Sequence, residues 1–395
     1  MKKVFLTTIA LLSIVSATIF GMYGPDSDWI TFLTDGNRFR ARADQLGFTL
    51  GNDTIKGTFG FRNKGFGGQF GKMLNTTDGV NYNFNPTISM GLGYTSSLIS
   101  VGVGYNATIS TNKWTKFNGK TEGKTTEAVA HTPVLVLNAM DNAFRMAIPI
   151  QVVNLTDKAT DGKGRSVTAV SLDAQFRYFT GLDFLPQIRL LIKYGNYGMQ
   201  LSPEGGQKEK VTFAESFGFE FRLYFGAMVE EVALQPFVKL VYNGALGKQH
   251  SKTSVTALNA LDDSARFMGQ ITSLFANPNI ATQPTTTYGG NAAWKKSAWD
   301  LTLAPALGIT ANSDIVSLYV EPSLGLQIIQ SGSATDNKVK ELYKLYWGAY
   351  AEIYITPIKN LEWYFEASVS GGDTATTQPV NLAGSTGITW YLPAL

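Results

Sequence analysis

The segments RFRAR, Arg38–Arg42, and LEWYFE, residues 361–366, place ionisable groups at even spacing: Arg38, Arg40 and Arg42 in the first, Glu362 and Glu366 in the second. In an extended chain alternate residues share a face, so each set points one way. Lys56, Arg62, Arg145, Arg177, Arg189, Lys193, Arg222 and Lys239 extend the cationic set, and Glu220, Glu321 and Glu352 extend the acidic one, most of them with apolar neighbours on either side. Opposed rows of guanidinium and carboxylate set up a transverse field, which at a constriction selects solutes by charge. The plainer reading is a wall of ion-paired side chains that fills space and conducts nothing.

Chemistry of other kinds has little to work with. There are two histidines, His131 and His250, both read as lying in polar loops, and neither has a second histidine at metal-ligand spacing. No G-x-S-x-G elbow, P-loop or paired-histidine helix is present. Gly91-Leu92-Gly93 and Gly102-Val103-Gly104 look superficially like nucleotide loops, yet they alternate with apolar residues inside strand-like segments and read as smooth, closely packed wall. The expectation is a non-enzyme with no catalytic residue, no metal and no cofactor.

The elements that must position the charges are strands. In ESFGFEFRLYFG, residues 215–226, Phe217, Phe219, Phe221, Leu223 and Phe225 alternate with Ser216, Gly218, Glu220, Arg222 and Tyr224. The same period of two runs through residues 299–310, 316–327, 343–355 and 361–369, and upstream through 55–62, 84–94, 99–109, 144–152, 170–178, 186–194 and 232–242, with a weaker case at 132–138. Near the start the phase slips: Arg38, Arg40 and Arg42 give way to an apolar set of Leu46, Phe48 and Leu50, which is expected to mark a bulge near Asp44 and Gln45.

Composition narrows the surroundings. The 395 residues carry 33 Lys+Arg against 30 Asp+Glu, so the basic excess of a nucleic-acid binder is missing. Forty glycines, 12% aromatic residues and only 16% charged residues suit closely packed strands. At the N-terminus Lys2 and Lys3 precede an apolar run over residues 4–15 and a small-residue site, the pattern of a Sec-type signal peptide cleaved after Ala17 or Gly21. With no cysteine, an exported chain has neither a disulfide scaffold nor a lipidated cysteine, and is held by burial and backbone pairing.

Strand length separates the candidate all-β folds. Sandwich strands cluster near about 5–6 residues, whereas crossing a bilayer at a tilt takes roughly 9–11. The chain past residue 21 contains no apolar run near the eighteen or so residues of a spanning helix, so a membrane-spanning form must be a closed barrel. The reading is a transmembrane antiparallel β-barrel, with lipid on the phenylalanines and a water-filled lumen on Glu220 and Arg222. Tyr94, Tyr105, Tyr178, Tyr194, Phe225, Trp299, Trp390 and Tyr391 would form interfacial girdles.

Short connections alternate with long ones along the chain, as when two ends of a barrel face different compartments. Fifteen segments read as strands and an even number is required; residues 29–34, turned back by Asp35-Gly36-Asn37, are the expected sixteenth, with fourteen the alternative count. Sixteen strands imply a porin-sized lumen. Closure would bring the Arg38, Arg40 and Arg42 ladder beside Glu362 and Glu366. Residues 1–21 would then be the signal peptide and 22–395 one barrel, with a long loop at 244–298. Within that loop Leu258, Leu261, Ala265, Met268, Ile271 and Phe275 recur at steps of three and four, so residues 255–275 read as an amphipathic helix.

Residues 27–62, SDWITFLTDGNRFRARADQLGFTLGNDTIKGTFGFR, and the terminal GITWYLPAL, residues 387–395, resemble the variable surface proteins of the outer membrane of intestinal spirochaetes. That resemblance implies an exported, abundant surface antigen, embedded among outer-membrane lipids, whose relatives differ mostly in their loops and can assemble into homo-oligomers. Its loops would be what host surfaces and immune components meet. The resemblance supplies no catalytic residue. Leu395, where outer-membrane barrels generally end in an aromatic residue, departs from the usual pattern.

Overall fold

The computed structural model describes residues 28–42, 45–62, 87–110, 113–114, 124–125, 128–157, 165–201, 209–229, 232–246, 299–330, 341–371 and 380–393. Sixteen antiparallel strands follow one another around a ring: β1 (Arg38–Arg42), β2 (Gln45–Gly51), β3 (Ile55–Arg62), β4 (Thr87–Tyr94), β5 (Ile99–Ser110), β6 (Ala128–Ala139), β7 (Phe144–Asp157), β8 (Arg165–Phe179), β9 (Gln187–Leu201), β10 (Glu209–Tyr224), β11 (Val232–Ala245), β12 (Trp299–Asn312), β13 (Val316–Gln330), β14 (Glu341–Ile358), β15 (Leu361–Gly371) and β16 (Val380–Tyr391). The short strand Ala227–Val229 continues the β10–β11 hairpin, and Lys113–Trp114 with Lys124–Thr125 form a separate two-stranded ladder. The ring closes because β1 pairs on both sides: Arg38 stands opposite Thr49 of β2 and opposite Tyr391 of β16. No sheet edge is left along the ring, which is the condition for backbone in lipid.

The expected count holds, but the sixteenth strand lies elsewhere. Residues 29–34 are not a strand: Asp28–Ile30 is a 3₁₀ turn, and Thr34 and Asp35 then donate back to the Thr31 carbonyl at 2.8 and 2.9 Å. The phase slip near residue 44 is not a bulge either. Arg42 pairs with Gln45, so the residues on either side of 43 and 44 belong to two separate antiparallel strands. Residues directly opposite one another in an antiparallel pair share a face, here three positions apart in sequence, which reproduces the observed change of phase.

Seven short connections, including residues 52–54, 95–98 and 313–315, share one end with both chain termini of the ring. Three use the same device. The side-chain oxygens of Asn52, Ser96 and Ser313 accept from the backbone N–H three residues on, at 2.8, 3.2 and 3.0 Å, which closes the turn and starts the next strand. Longer connections, such as 63–86 and 247–298, leave from the opposite end. The expected helix at 255–275 lies outside the described residues, as do the expected signal peptide and its expected cleavage site.

The burial pattern is inverted relative to a water-soluble protein. Phe48, Phe59, Leu92, Val103, Leu324 and Trp363 are exposed, while Arg40, Ser89, Asn106, Gln151, Glu352 and Thr389 on the alternate positions are buried. A large apolar patch of this kind marks contact with something other than water, and here it runs round the ring from β2 to β16. The Phe217, Phe219, Phe221 set of β10 falls on that outer face, opposite the Gly218, Glu220, Arg222 face.

Candidate functional site: the lumen and its N-terminal hairpin

Strand register fixes which residues share the inner wall. Arg38, Arg40 and Arg42 pair with Tyr391, Thr389 and Gly387 of β16; Thr389 in turn stands opposite Glu362 of β15, and Gly387 is two residues from Ser385, which stands opposite Glu366. Lys56 and Arg62 hold the same face of β3 through Gly51 and Gln45. On the next arc the register places Arg145, Arg177, Arg189, Arg222 and Lys239 directly opposite one another on five consecutive strands, β7 to β11. Glu220 and Lys193 share this face, and Glu321 and Glu352 face inward from β13 and β14. By register these positions share one face of the ring; the Arg62 side chain lies outside the described residues.

Around the closure the acids are answered by arginines and tyrosines. Arg42 Nη1 lies 3.8 Å from Glu366 Oε2, and the Arg40 guanidinium stacks 4.4 Å from the Tyr364 ring centroid. Tyr354 donates to Glu352 at 2.9 Å, with Tyr350 donating to the other oxygen; Tyr319 donates to Glu321 at 2.6 Å and Tyr391 to Glu362 at 3.2 Å. A phenol satisfies a buried carboxylate without adding charge. Tyr391, expected in a girdle, instead pairs with Arg38 and points inward, because the girdle is served by its neighbour Trp390 on the outer face.

The other arc holds something the alternation did not announce. Gly91, Gly104 and Val134 stand in one cross-strand row, and Gly93, Gly102, Val136 and Ala147 in the next, so β4 to β7 present an apolar shelf to a lumen that is otherwise polar. Trp29, Ile30, Phe32 and Leu33 pack onto it and are at most 7% exposed. A Cβ added at Gly91 would sit 2.6 Å from the Trp29 ring, which would have to shift, and one at Gly102 would press on Leu33 at 3.1 Å, so the glycines admit this close approach. Trp29 and Phe32 meet edge to face at 5.7 Å. Polar tethers fasten this turn segment, residues 28–35: Arg38 to Asp35 at 2.7 Å, Arg145 to Thr34 at 3.0 Å, and the Lys56 ammonium to the Asp35 carbonyl. Each large apolar side chain seated here contributes about 1.5–3 kcal/mol to holding the segment in the barrel.

Gly91-Leu92-Gly93 and Gly102-Val103-Gly104 are thus strand wall, as read from alternation, with the added role of receiving the turn segment. The sequence carried a signal for it: an inner face lined by glycine, valine and alanine where polar residues were due, and a run of apolar residues, Trp29 to Leu33, with no strand partner. His131 is a correction. It lies within β6 rather than in a loop, on the outer face, where its Nδ1 shares a hydrogen bond with the Tyr105 hydroxyl. His250 lies outside the described residues. Among the described residues no cluster of metal-ligating side chains is found, and no helix is long and apolar enough to cross a membrane, which says nothing about crossing by strands.

A closed antiparallel ring with its greasy face outward and its charges inward has the layout of an outer-membrane β-barrel. A family model described as Serpulina hyodysenteriae variable surface protein matches residues 2–391, and the chain belongs to that family. No curated protein matches the sequence. Among solved structures the chain is similar to the beta domain of the Bordetella autotransporter BrkA, at 10% identity and a TM-score of 0.31, covering 90% of this chain and 99% of that one. It is also similar to the translocator domain of the autotransporter NalP from Neisseria meningitidis, at 12% identity and a TM-score of 0.32, covering 91% of this chain and 89% of that one.

Proposed function

We propose that the protein is exported by its N-terminal signal, spans the outer membrane, and lets small hydrophilic solutes diffuse passively through its lumen while its longer connections are displayed at the cell surface. The observation that carries this reading is the inward set of charged rows, five cations in register on β7 to β11 and four glutamates on β13 to β15, inside a wall whose outer face is apolar. Charged side chains are kept from lipid and face either partners or water, and a row of five like charges on adjacent strands is better served by water than by protein alone. No catalytic step, metal or cofactor belongs to this proposal. The partners are outer-membrane lipids, further copies of the chain, and host or immune components that meet the loops.

A second reading has its own support. The turn segment of residues 28–35 occupies part of the lumen, which favours a barrel that is only a scaffold for surface display, an antigen or adhesin that conducts nothing. Reconstitution of the full chain into planar bilayers separates the two. Discrete conductance steps are the expected result; silence from protein shown to be folded by heat-modifiable gel mobility would leave display as the function.

A further inference from the structure

We propose that the in-register cation ladder of β7 to β11 binds a small oxyanion, with Arg189 and Gln187 as its innermost contacts. This rests on the reading of the lumen as water-filled. Residues directly opposite in an antiparallel pair are about 4.5–5.5 Å apart, so like charges there repel unless something answers them. The ends of the ladder are answered by protein. Arg145 donates to Thr34 and to the Asn142 carbonyl, Arg222 is bridged by Glu220, and Lys239 donates to the Tyr346 hydroxyl at 3.0 Å. Lys193 has Asp173 directly opposite in the register.

The centre differs. Arg189 Nε donates to Gln187 Oε1 at 2.9 Å, yet Arg189 Nη2 and Gln187 Nε2 are both buried and find no acceptor among the described residues. The two residues are 8% and 4% exposed, so bulk water does not serve them freely. A buried donor left without an acceptor is costly, and more so when charged. One ligand that brings acceptor oxygens and negative charge removes both the unmet donors and the repulsion along the ladder. The guanidinium is already fixed in place, 4.7 Å from the Tyr224 ring centroid, and Tyr224 is itself stacked on Phe237 at 4.9 Å. A planar fork fixed by stacking matches the two oxygens of a phosphate, sulfate or carboxylate, which a flexible ammonium would not.

The test titrates the refolded full chain in detergent micelles with inorganic phosphate at constant ionic strength, with chloride as control, and reads heats of binding. Saturable phosphate binding is expected, weakened about tenfold in Arg189→Gln because a charge-assisted hydrogen bond is lost, and unchanged in Lys344→Gln on a different arc. Binding that does not saturate, or that is equal in wild type and Arg189→Gln, overturns the site. Should Arg189→Gln fail to fold, Gln187→Leu removes the second donor without altering charge; retained phosphate affinity in that variant also overturns it. Conductance without saturable binding would sink the anion site and leave diffusion standing, while Arg189-dependent binding by a barrel that passes no current would do the reverse.

Discussion

Arg42 on β1 and Glu366 on β15 meet across the whole width of β16, Nη1 to Oε2 at 3.8 Å, at the seam where the last strand of the ring returns to the first. The intervening strand allows it by placing small residues, Gly387 and Ser385, at the register positions beside them. Both side chains are nearly buried, so the pair is better shielded from salt than a surface pair, though 3.8 Å is long for a strong charge-assisted bond. A double-mutant cycle with Arg42→Gln and Glu366→Gln is expected to give a coupling of about 1 kcal/mol in urea unfolding from lipid vesicles. A coupling indistinguishable from zero would mean the seam is held by backbone pairing alone.

The turn segment of residues 28–35 can be followed chemically because the chain has no cysteine. Thr31 is 2% exposed and would tolerate a near-isosteric thiol, so Thr31→Cys is expected to react slowly with a water-soluble maleimide. Adding Gly91→Val sets a side chain against the Trp29 ring, where even a Cβ would come within 2.6 Å, while valine remains well suited to a strand. The double variant is expected to label at least about tenfold faster, as for a segment whose local opening has become easier. Equal labelling rates would show that the glycine shelf does not hold the segment.

Glu352 is 1% exposed and has Tyr354 as a hydrogen-bond donor at 2.9 Å, with Tyr350 on its other oxygen. Removing a donor from a buried carboxylate leaves that oxygen desolvated without compensation, which costs about 1–3 kcal/mol. Tyr354→Phe keeps the ring that packs 6.1 Å from Tyr364 and is expected to destabilise by that amount in equilibrium unfolding. Tyr343→Phe, exposed at the start of β14, serves as the control and is expected to be neutral. Equal effects at the two positions would place Glu352 in water.

Most of the wall was legible in the sequence because a strand with different surroundings on its two faces must alternate, and a register slip would reverse every residue. Phe217 to Phe225, Leu361 to Val369 and the arginines of β1 could each be assigned a face from spacing alone. The turn segment was not legible in the same way. Residues 29–34 are apolar enough to pass for a strand, and only the paired glycines of β4 and β5, two segments away in sequence, say that their place is inside. The cation ladder was visible as residues but not as a row. Its register depends on turn lengths between strands, and a change of one residue in residues 180–186 would have separated Arg177 from Arg189.

The outermost face offers the most direct check on what surrounds the barrel. Leu324 lies in the middle of β13, 56% exposed, beside Trp347 of β14 in the register. In a protein that faces water on this side, arginine at such a position would be close to neutral, since exposed substitutions away from special features change stability by about 0.5 kcal/mol or less. Against hydrocarbon at mid-membrane the same charge costs about 2–4 kcal/mol. Leu324→Arg is therefore expected to lower the unfolding free energy from lipid vesicles by that larger amount. The same substitution at Ile358, which is exposed at the short-turn end of β14, is expected to cost about 1 kcal/mol or less, as for a residue at the interface. The depth dependence is the decisive part. A cost that is large at Leu324 and small at Ile358 requires a slab of lipid around the ring, whereas equal and small costs at both would mean that the exposed apolar face is covered by something other than a bilayer.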